Sequence, residues 1–356
     1  MRRTLDLARA WIKFSWFFLY SVYLRRPWSL PPHTWIWLYF RGFMPNKARM
    51  YKFKEHDCRM YISDRGIFLT SKIDGSYGPI IDDKYMSALL LQPIVRIPRT
   101  LAYIRNREIQ QPRQDQDLAD LVRQHGKTIL KPTDGNCGRG IAVLEFLEGR
   151  FLKNNKPVDE DKLEACLPPR GTFLLSEYVK QRDFASRLYP DTVNTMRLIT
   201  MIDPDTGIPF LAGGVLKAGT SKSYPVDNHA SGGVCCLIDI ATGRLGRMKR
   251  LPFNWLEAHP DTGIKMEGMI IPDWEDIKSE LLKISGILSP IPYIAWDIAL
   301  LDSGICVIET NSWSELSMLQ LNTPLCANPA IHRFFYHHRI TGYRRSGAVS
   351  SETGQL

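Results

Sequence analysis

The sequence predicts an α+β fold, and three observations support that prediction. Residues 128–240 contain short apolar runs, rich in branched and aromatic residues and separated by glycine, proline or aspartate, which is typical of β-strands. Residues 272–288 repeat apolar side chains at helical spacing. Residues 293–310 hold two more apolar runs, joined by a turn of Asp302, Ser303 and Gly304 that suits a hairpin. The chain of 356 residues, 44% hydrophobic, is long enough for two or three lobes.

The first 48 residues are aromatic and basic. RRPWSLPPH divides them into two helical pieces, because its three prolines cannot lie inside one helix. WIKFSWFFLYSVYL, residues 11–24, is shorter than the roughly 20 apolar residues that span a bilayer, and no signal-peptide cleavage site follows it. Two interpretations stay open: a helix packed on the rest of the protein, or an interfacial helix with aromatic rings at the headgroups and arginines on anionic lipid.

The following elements are predicted in chain order. DDKYMSALLLQ predicts a helix that Asp82 or Asp83 caps and that ends before Pro93, and IVRIPRTLAYI predicts a short strand and turn. Strands are then predicted in TILKP, IAVLEF, TFLLSEYV, VNTMRLITMI, PFLAGGVLK and GGVCCLIDI, with a short helix in DEDKLEACL. The tail from about Thr341 is polar and is predicted to fray.

The helix at 272–288 is the clearest local prediction. It has a proline near its start and acidic residues in its first turn. Its predicted buried face consists of Trp274, Ile277, Leu281 and Ile284.

The net charge of +9 indicates an anionic partner, such as a nucleotide, a nucleic acid, a phosphate-bearing substrate or an acidic membrane surface. A basic stripe with stacking aromatic residues is missing from the sequence, which argues against nucleic acid. The seven cysteines show neither a C-x-x-C pair nor zinc-finger spacing. They are typical of a protein of the reducing cytoplasm without structural disulfides.

The last hairpin carries a candidate metal site. Asp297 lies in an apolar strand, and Glu309 and Asn311 are two residues apart, so they share one face of the next strand. Three oxygen-bearing side chains without a nearby cysteine or histidine suit magnesium. The alternatives are that the carboxylates pair with buried lysine or arginine, or that they lie on a solvated face.

The stretch KPTDGNCGRG, residues 131–140, is a candidate phosphate loop. Gly135, Gly138 and Gly140 would let the backbone approach an anion, and Lys131 would add a positive charge. The lysine precedes the glycines and an apolar strand follows them, so the stretch differs from a Walker loop and is predicted to join two strands. Alone it is a weak signal.

Further polar residues lie in the strand-rich region. Arg197 is inside an apolar strand, where an unpaired guanidinium is costly, so it requires an anion. The loop VDNHASGG supplies Asp227 and Asn228. LLSEYVKQRD is an apolar strand followed by a polar segment that contains Glu177, Tyr178, Val179 and Asp183.

Taken in order, these motifs resemble those of the sugar-transfer-associated ATP-grasp family, which is related to α-L-glutamate ligases. The resemblance runs from DDK near residue 82 to ETNSW near residue 313. It implies the ATP-grasp fold, in which two α/β subdomains clamp ATP between antiparallel sheets. Together with the composition of the two ends, it predicts five segments: a helical N-terminal segment (1–48), an N-terminal lobe (49–127), a small lid subdomain (128–182), a C-terminal subdomain with the metal hairpin (183–340) and a flexible tail (341–356).

The resemblance implies that the protein binds ATP and two magnesium ions. Lys84 and Lys131, with the glycine loop, resemble the groups that hold the nucleotide phosphates. Glu177, Tyr178 and Val179 resemble the hinge whose backbone contacts adenine, and Asp183 resembles the acid that holds the ribose.

The resemblance also implies catalytic roles for Arg197, Lys131 and Asn311, with Arg197 on the transferring phosphate. The implied magnesium ligands are Asp297, Glu309 and Asn311. The implied substrate residues are Lys217, Asp227 and Asn228. Two departures affect these assignments: the loop carries Cys137 and Arg139 where relatives often have small or hydroxyl residues, and residues 1–48 lack the βαβ start of many ATP-grasp ligases.

The implied activity is an ADP-forming carboxylate–amine ligase that works through an acyl phosphate. The family association suggests an amino acid joined to a glycan or a lipid-linked sugar by a cytoplasmic protein, with peripheral contact to the inner face of an anionic membrane. Two alternatives stay open. The same site could phosphorylate a sugar or another small molecule, or the chain could be a non-catalytic nucleotide-binding membrane adaptor.

Overall fold

The computed structural model describes residues 2–24, 30–111, 116–135, 138–250 and 254–342. The α-helices of the described residues are α1 Arg2–Leu24, α2 Pro32–Arg41, α3 Lys47–Met50, α4 Asp64–Thr70, α5 Gly78–Asp82, α6 Lys84–Leu91, α7 Leu118–His125, α8 Asp183–Leu188, α9 Trp274–Ile287 and α10 Pro329–His337. Their β-strands are β1 Thr100–Arg105, β2 Glu108–Gln111, β3 Lys127–Pro132, β4 Ala142–Leu147, β5 Arg150–Lys153, β6 Lys156–Val158, β7 Thr172–Glu177, β8 Thr195–Ile202, β9 Pro209–Ala218, β10 Val234–Ile238, β11 Leu245–Arg250, β12 Asn254–Leu256, β13 Tyr293–Leu301 and β14 Gly304–Asn311.

The chain forms two compact units. The first unit takes in Met1–Ser71, Asp203–Gly207 and Glu315–Leu356. The second unit takes in Lys72–Ile202 and Ile208–Ser314 and contains both β-sheets.

Each sheet of the second unit has seven strands. The first sheet has the order β2-β1-β7-β3-β4-β5-β6, and the second has the order β12-β11-β10-β9-β8-β13-β14. All neighbouring strands are antiparallel. The predicted α+β class with antiparallel sheets is confirmed. β1 and β2, which precede residue 128, belong to the first sheet, and the five-segment division of the chain stays a prediction.

Each sheet has its own apolar core. In the first sheet, Leu118 and Val122 of α7 pack with Leu130 and Leu144. In the second sheet, the predicted apolar face of α9 is buried in a cluster that also contains Trp296. The Trp296 indole nitrogen donates a 2.8 Å hydrogen bond to the hydroxyl of Thr200, so this large buried ring keeps no unsatisfied donor.

Several elements differ from the sequence prediction, which did not include the helices α3, α4, α5, α7, α8 and α10. DEDKLEACL forms two short 3₁₀ turns, Glu160–Lys162 and Glu164–Cys166, in place of one helix. Strands β2, β5, β6, β11 and β12 were not predicted. They are the edge strands β2, β6 and β12 and the neighbours β5 and β11, and their polar or basic residues leave no apolar run.

The predicted N-terminal helices are present in the first unit as α1 and α2; residues 25–29, within the predicted break, lie outside the described residues. Tyr39 of α2 contacts the rings of Trp11, Phe14 and Phe18, and its hydroxyl lies 2.8 Å from that of Ser15. One face of α1 is therefore packed against protein. Within the described part of the chain, every helix is too short or too polar to cross a membrane.

Candidate functional site

The core of the site is a row of side chains across the second sheet. Asp297 of β13 stands opposite Arg197 of β8 on one side and opposite Glu309 of β14 on the other. Directly opposed residues of antiparallel strands project to the same face, so the sheet brings Arg197 to Asp297 and Glu309, which follow it by about 100 residues in sequence. The predicted hairpin has the register that the metal hypothesis requires.

Asp297 is buried and binds two cations. Arg197 donates to both of its carboxylate oxygens, at 2.9 Å from Nε to Oδ1 and from Nη2 to Oδ2, and Lys217 Nζ lies 3.0 Å from Oδ1. Burial opposes ionisation of Asp297, but the two cations outweigh it and hold its pKa well below the ordinary carboxyl value. Arg197 thus has the anion that its apolar strand requires.

Asp227 extends this charge network. Its Oδ2 accepts hydrogen bonds from the backbone N–H of Thr195 at 2.8 Å and from the Thr195 hydroxyl at 2.6 Å. Its Oδ1 lies 3.9 Å from Lys217 Nζ. Burial raises the pKa of Asp227 although Lys217 opposes the rise. Lys217 therefore lies between two buried carboxyl groups.

A second group of charges lines a cleft. Lys84 Nζ donates to the carbonyl oxygen of Gly135 at 2.6 Å and lies 3.4 Å from Glu309 Oε1. Lys131, Ser176 and apolar residues such as Leu174 also line this cleft. The second group is joined to the first through Glu309, the sheet neighbour of Asp297.

Lys131 is the least compensated charge of the cleft. It is 8% exposed, and neither a hydrogen bond nor an ion pair reaches its ammonium from the described residues. Burial lowers the pKa of Lys131 to about 8; Glu309 opposes this shift and Lys84 adds to it. A buried cation without a partner is costly, so this position is suited to an anionic ligand.

Three polar contacts position the cleft, and the sequence analysis did not find them. Asp82 accepts hydrogen bonds from the backbone N–H and the hydroxyl of Ser312, both at 2.7 Å. Thr310 donates to the carbonyl oxygen of Ile81 at 2.7 Å. They fix the end of β14 to the end of α5, directly before α6, which carries Lys84. In the sequence, these contacts are indicated only by the hydroxyl residues Thr310 and Ser312, which follow Glu309.

The glycine loop joins two antiparallel strands, as predicted. Lys127–Pro132 pairs with Ala142–Leu147, and the loop between them is described except for residues 136 and 137, so Cys137 lies outside the described residues. Gly138 and Gly140 have φ of 71° and 76°, which disfavours side chains. A Cβ atom at Gly135 would come within 2.3 Å of Pro132.

The predicted adenine hinge follows β7. The N–H of Glu177 donates to the carbonyl oxygen of Arg99 at 3.0 Å and that of Tyr178 to Lys127 at 3.4 Å. Val179 is buried, and its N–H makes no hydrogen bond within the described residues. Among the described residues, the backbone N–H of Val179 therefore remains available as a hydrogen-bond donor.

Other predicted residues have different surroundings. Asp183 is exposed at the start of α8 and pairs with Arg187 at 3.0 Å. Asn228 accepts a hydrogen bond from the backbone N–H of Ala230 at 2.8 Å and so caps a short turn. Asn311 ends β14, and its side-chain Nδ2 is buried without a hydrogen bond within the described residues.

A model of the sugar-transfer-associated ATP-grasp family matches residues 68–331. The chain belongs to this family. The match begins in α4 and ends in α10, so it includes both sheets and every predicted site residue. The search of curated proteins found no match.

The chain is also similar to solved structures of ATP-grasp proteins, all at low identity. N5-carboxyaminoimidazole ribonucleotide synthetase from Thermotoga maritima is 13% identical with a TM-score of 0.39, over 72% of this chain and 50% of that chain. D-alanine–D-alanine ligase from Bacillus anthracis, in complex with ATP, is 11% identical with a TM-score of 0.38, over 76% and 69%. The ATP-grasp ligase PsnB, with a precursor variant, Mg and ADP, is 12% identical with a TM-score of 0.38, over 75% and 61%.

Proposed function

We propose that this family member is an ATP- and magnesium-dependent carboxylate–amine ligase that forms ADP. The observation that carries the proposal is Lys131: a buried cation that has no partner among the described residues and lies beside Lys84 in a cleft whose other walls are largely apolar. A nucleotide has both features that such a cleft recognises, an aromatic base and an anionic phosphate chain. Family membership supports the same ligand.

In this proposal the nucleotide lies between the two ends of the cleft. Lys84, Lys131 and the glycine loop hold its phosphates. The free N–H of Val179 in the hinge after β7 holds adenine, with Glu177 and Tyr178 beside it, and Asp183 reaches the ribose once it leaves Arg187.

The residues of the hairpin fit magnesium. Asp297 stays ionised because of its two cations, and Glu309 lies next to it on the same face. A carboxylate has about four lone-pair directions, so Asp297 retains capacity for a cation beside Arg197 and Lys217. The side-chain oxygen of Asn311 would be the metal ligand, and its Nδ2, which has no hydrogen bond within the described residues, would remain free to donate to a phosphate oxygen. We propose these three as ligands of two magnesium ions, which would screen phosphate charge when bound.

The chain's own residues would act mainly by position and charge. A substrate carboxylate attacks the γ-phosphorus of ATP, ADP leaves, and an acyl phosphate forms. An amine then attacks the acyl carbon, phosphate leaves, and the nitrogen loses a proton to give the amide. Lys131 and Arg197 offset the charge on the transferring phosphoryl group, while Lys217 with Asp227 and Asn228 lies on the acceptor side.

The substrates are the finer part of the proposal. The name of the family supports an amino acid or similar group joined to a glycan or a lipid-linked sugar. We place the protein in the cytoplasm, with peripheral contact to the inner face of the membrane, where a lipid-linked acceptor would be found.

A hydroxylamine trap tests the reaction type. With magnesium-ATP and candidate carboxylates, we expect ADP release and formation of a hydroxamate. A phosphorylated product without hydroxamate would indicate the kinase alternative.

Lys131→Met should weaken nucleotide binding at least about tenfold, as expected for loss of a charge-assisted contact, whereas Lys156→Met, on exposed strand β6, should bind normally. Equal binding by both variants would contradict the proposal.

A further inference from the structure

Helix α1 leaves an apolar stripe exposed on the first unit. Ile12 is 70% exposed, Trp16 61% and Leu19 64%, and Tyr20 is 49% exposed. Ile12 and Trp16 are four residues apart, and Leu19 and Tyr20 follow Trp16 by three and four residues, so the four side chains lie along the same side of the helix. The opposite side carries the buried Phe14 and contacts α2 and α4. Packing inside the unit therefore accounts for only one of the two apolar faces.

The exposed stripe has the composition of a membrane–water interface. The rings of Trp16 and Tyr20 are stacked, with centroids 5.4 Å apart and planes at 14°. Both side chains combine an apolar ring with a hydrogen-bonding group, which suits the headgroup region of a bilayer. Ile36 and Phe40 of α2 add two more highly exposed apolar side chains to this unit, at 59% and 68%.

Positive charge accompanies the stripe. Arg9 and Lys13 are exposed, and they lie three residues before Ile12 and Trp16, so they border the apolar side chains. Residues 1–54 contain eleven lysines and arginines and a single acidic residue, Asp6. This gives +10, while the whole chain carries +9. The entire excess of positive charge is therefore in the segment that contains the stripe.

We propose that α1 docks on an anionic lipid bilayer, with its axis in the plane of the interface and the stripe of Ile12, Trp16, Leu19 and Tyr20 in the headgroup region. Charge selects this occupant, because a second copy of the chain would bring the same dense positive charge to the contact. An anionic bilayer complements both the apolar stripe and the cations around it. The proposal is independent of the ligase activity.

Sedimentation of the full-length protein with lipid vesicles tests the proposal. We expect binding to vesicles of phosphatidylcholine with phosphatidylglycerol, weaker binding to phosphatidylcholine alone, and release by salt. The double variant Trp16→Ser with Leu19→Ser should lower the partition coefficient roughly tenfold or more. The double variant Arg9→Gln with Lys13→Gln should lower it roughly twenty-five-fold, since each cation near an anionic surface contributes about fivefold.

Ile287→Ser is the matched control, because Ile287 is 56% exposed on α9 of the second unit. It should bind the vesicles like the wild type. Circular dichroism should show that all variants are folded, as expected for exposed substitutions. Absence of binding to the anionic vesicles, or equal binding by the Trp16 and Leu19 double variant, would overturn the proposal. So would a wild-type dimer that this variant converts to a monomer, which would assign the stripe to a second copy.

Discussion

At the scale of residues, Asp297 organises the charges of the site. It binds Arg197 and Lys217, and it is the sheet neighbour of Glu309. The sequence predicts that Arg197 requires an anion, but the apolar strand around it does not identify that anion. The alternative that the hairpin carboxylates pair with buried cations matches the contacts of Asp297 with Arg197 and Lys217 and of Glu309 with Lys84, and magnesium binding by the same residues stays a prediction.

Asp297→Asn should lower the free energy of unfolding by about 3–5 kcal/mol, because it leaves two buried cations without their shared carboxylate. Urea denaturation at neutral pH measures the loss. Asp183→Asn removes the exposed pair with Arg187 and should cost less than about 1 kcal/mol. Equal effects of the two substitutions would show that the buried network does not stabilise the fold.

The contribution of Asp297 to the free energy of unfolding should also depend on pH. Its pKa is lowered in the folded state, so its stabilising contribution is complete above the unfolded carboxyl value of about 3.9. Below that value the unfolded chain takes up the proton first, and the contribution is lost as the pH falls towards the folded pKa. The difference between wild type and Asp297→Asn should therefore shrink in acid.

Lys131 should produce a pH dependence of the same sign, but in the alkaline range. Its pKa is lowered from 10.5 to about 8 in the folded protein. Between these values the unfolded chain binds a proton that the folded protein lacks, so the free energy of unfolding should rise with pH. We expect this rise in the wild type and in Lys156→Met but not in Lys131→Met. Parallel curves for wild type and Lys131→Met would contradict it.

At the scale of elements, the start of α6 connects a helix cap to the site. Asp83 Oδ1 accepts hydrogen bonds from the N–H groups of Tyr85 and Met86, both at 2.9 Å, as the sequence predicts for the first turn. Lys84, the first helical residue, also donates its own backbone N–H to Thr133 at 2.9 Å. The cap therefore fixes the origin of the side chain that reaches Gly135 and Glu309.

Asp83→Ala should lower the free energy of unfolding by about 1 kcal/mol and also weaken nucleotide binding, because Lys84 loses its fixed position. Asp117→Ala is the control, since Asp117 caps α7 through the N–H of Asp120 at 2.7 Å. It should cost a similar stability and leave binding unchanged. Isothermal titration calorimetry with magnesium-ATP analogues measures nucleotide binding by the two variants. Equal weakening of binding by both substitutions would contradict the proposal that Asp83 positions Lys84.

At the scale of the whole molecule, the two compact units have different features. The second unit contains both sheets and all the predicted site residues. The first unit contains α1 with its exposed stripe and a buried ion pair, Lys47 with Asp64, at 3.2 Å. Burial opposes the charge of Lys47, but Asp64 and Glu315 outweigh it and raise its pKa.

Hydrogen exchange should distinguish the two units, because the ligand should slow amide exchange in the second unit only. We expect magnesium-ATP to slow amide exchange in the loop after β3 and along β14, since ligand binding stabilises the state that holds it. Amides of α1 and α4 in the first unit should exchange at unchanged rates. Protection confined to the first unit, or none in β14, would contradict the assignment of the nucleotide to the cleft.

The sequence by itself determined the local elements and the set of reactive groups. The helix α9, the strands β3, β4, β7, β8, β9 and β10 and the hairpin of β13 and β14 follow from apolar periodicity, since a buried face repeats every 3.6 or every two residues. The motif order was enough to identify the family, and the family model confirms it. Edge strands such as β6 were missed because their solvated residues carry no such period.

Only the tertiary structure decided which charges meet. Arg197 and Asp297 are 100 residues apart, and the pairing of β8 with β13 brings them together. Burial of Lys131, without a partner in the described part of the chain, likewise results from several elements packing around it. Periodicity is a property of neighbouring residues, whereas strand register and burial depend on packing between distant segments, where a shift of one residue would turn Asp297 to the opposite face.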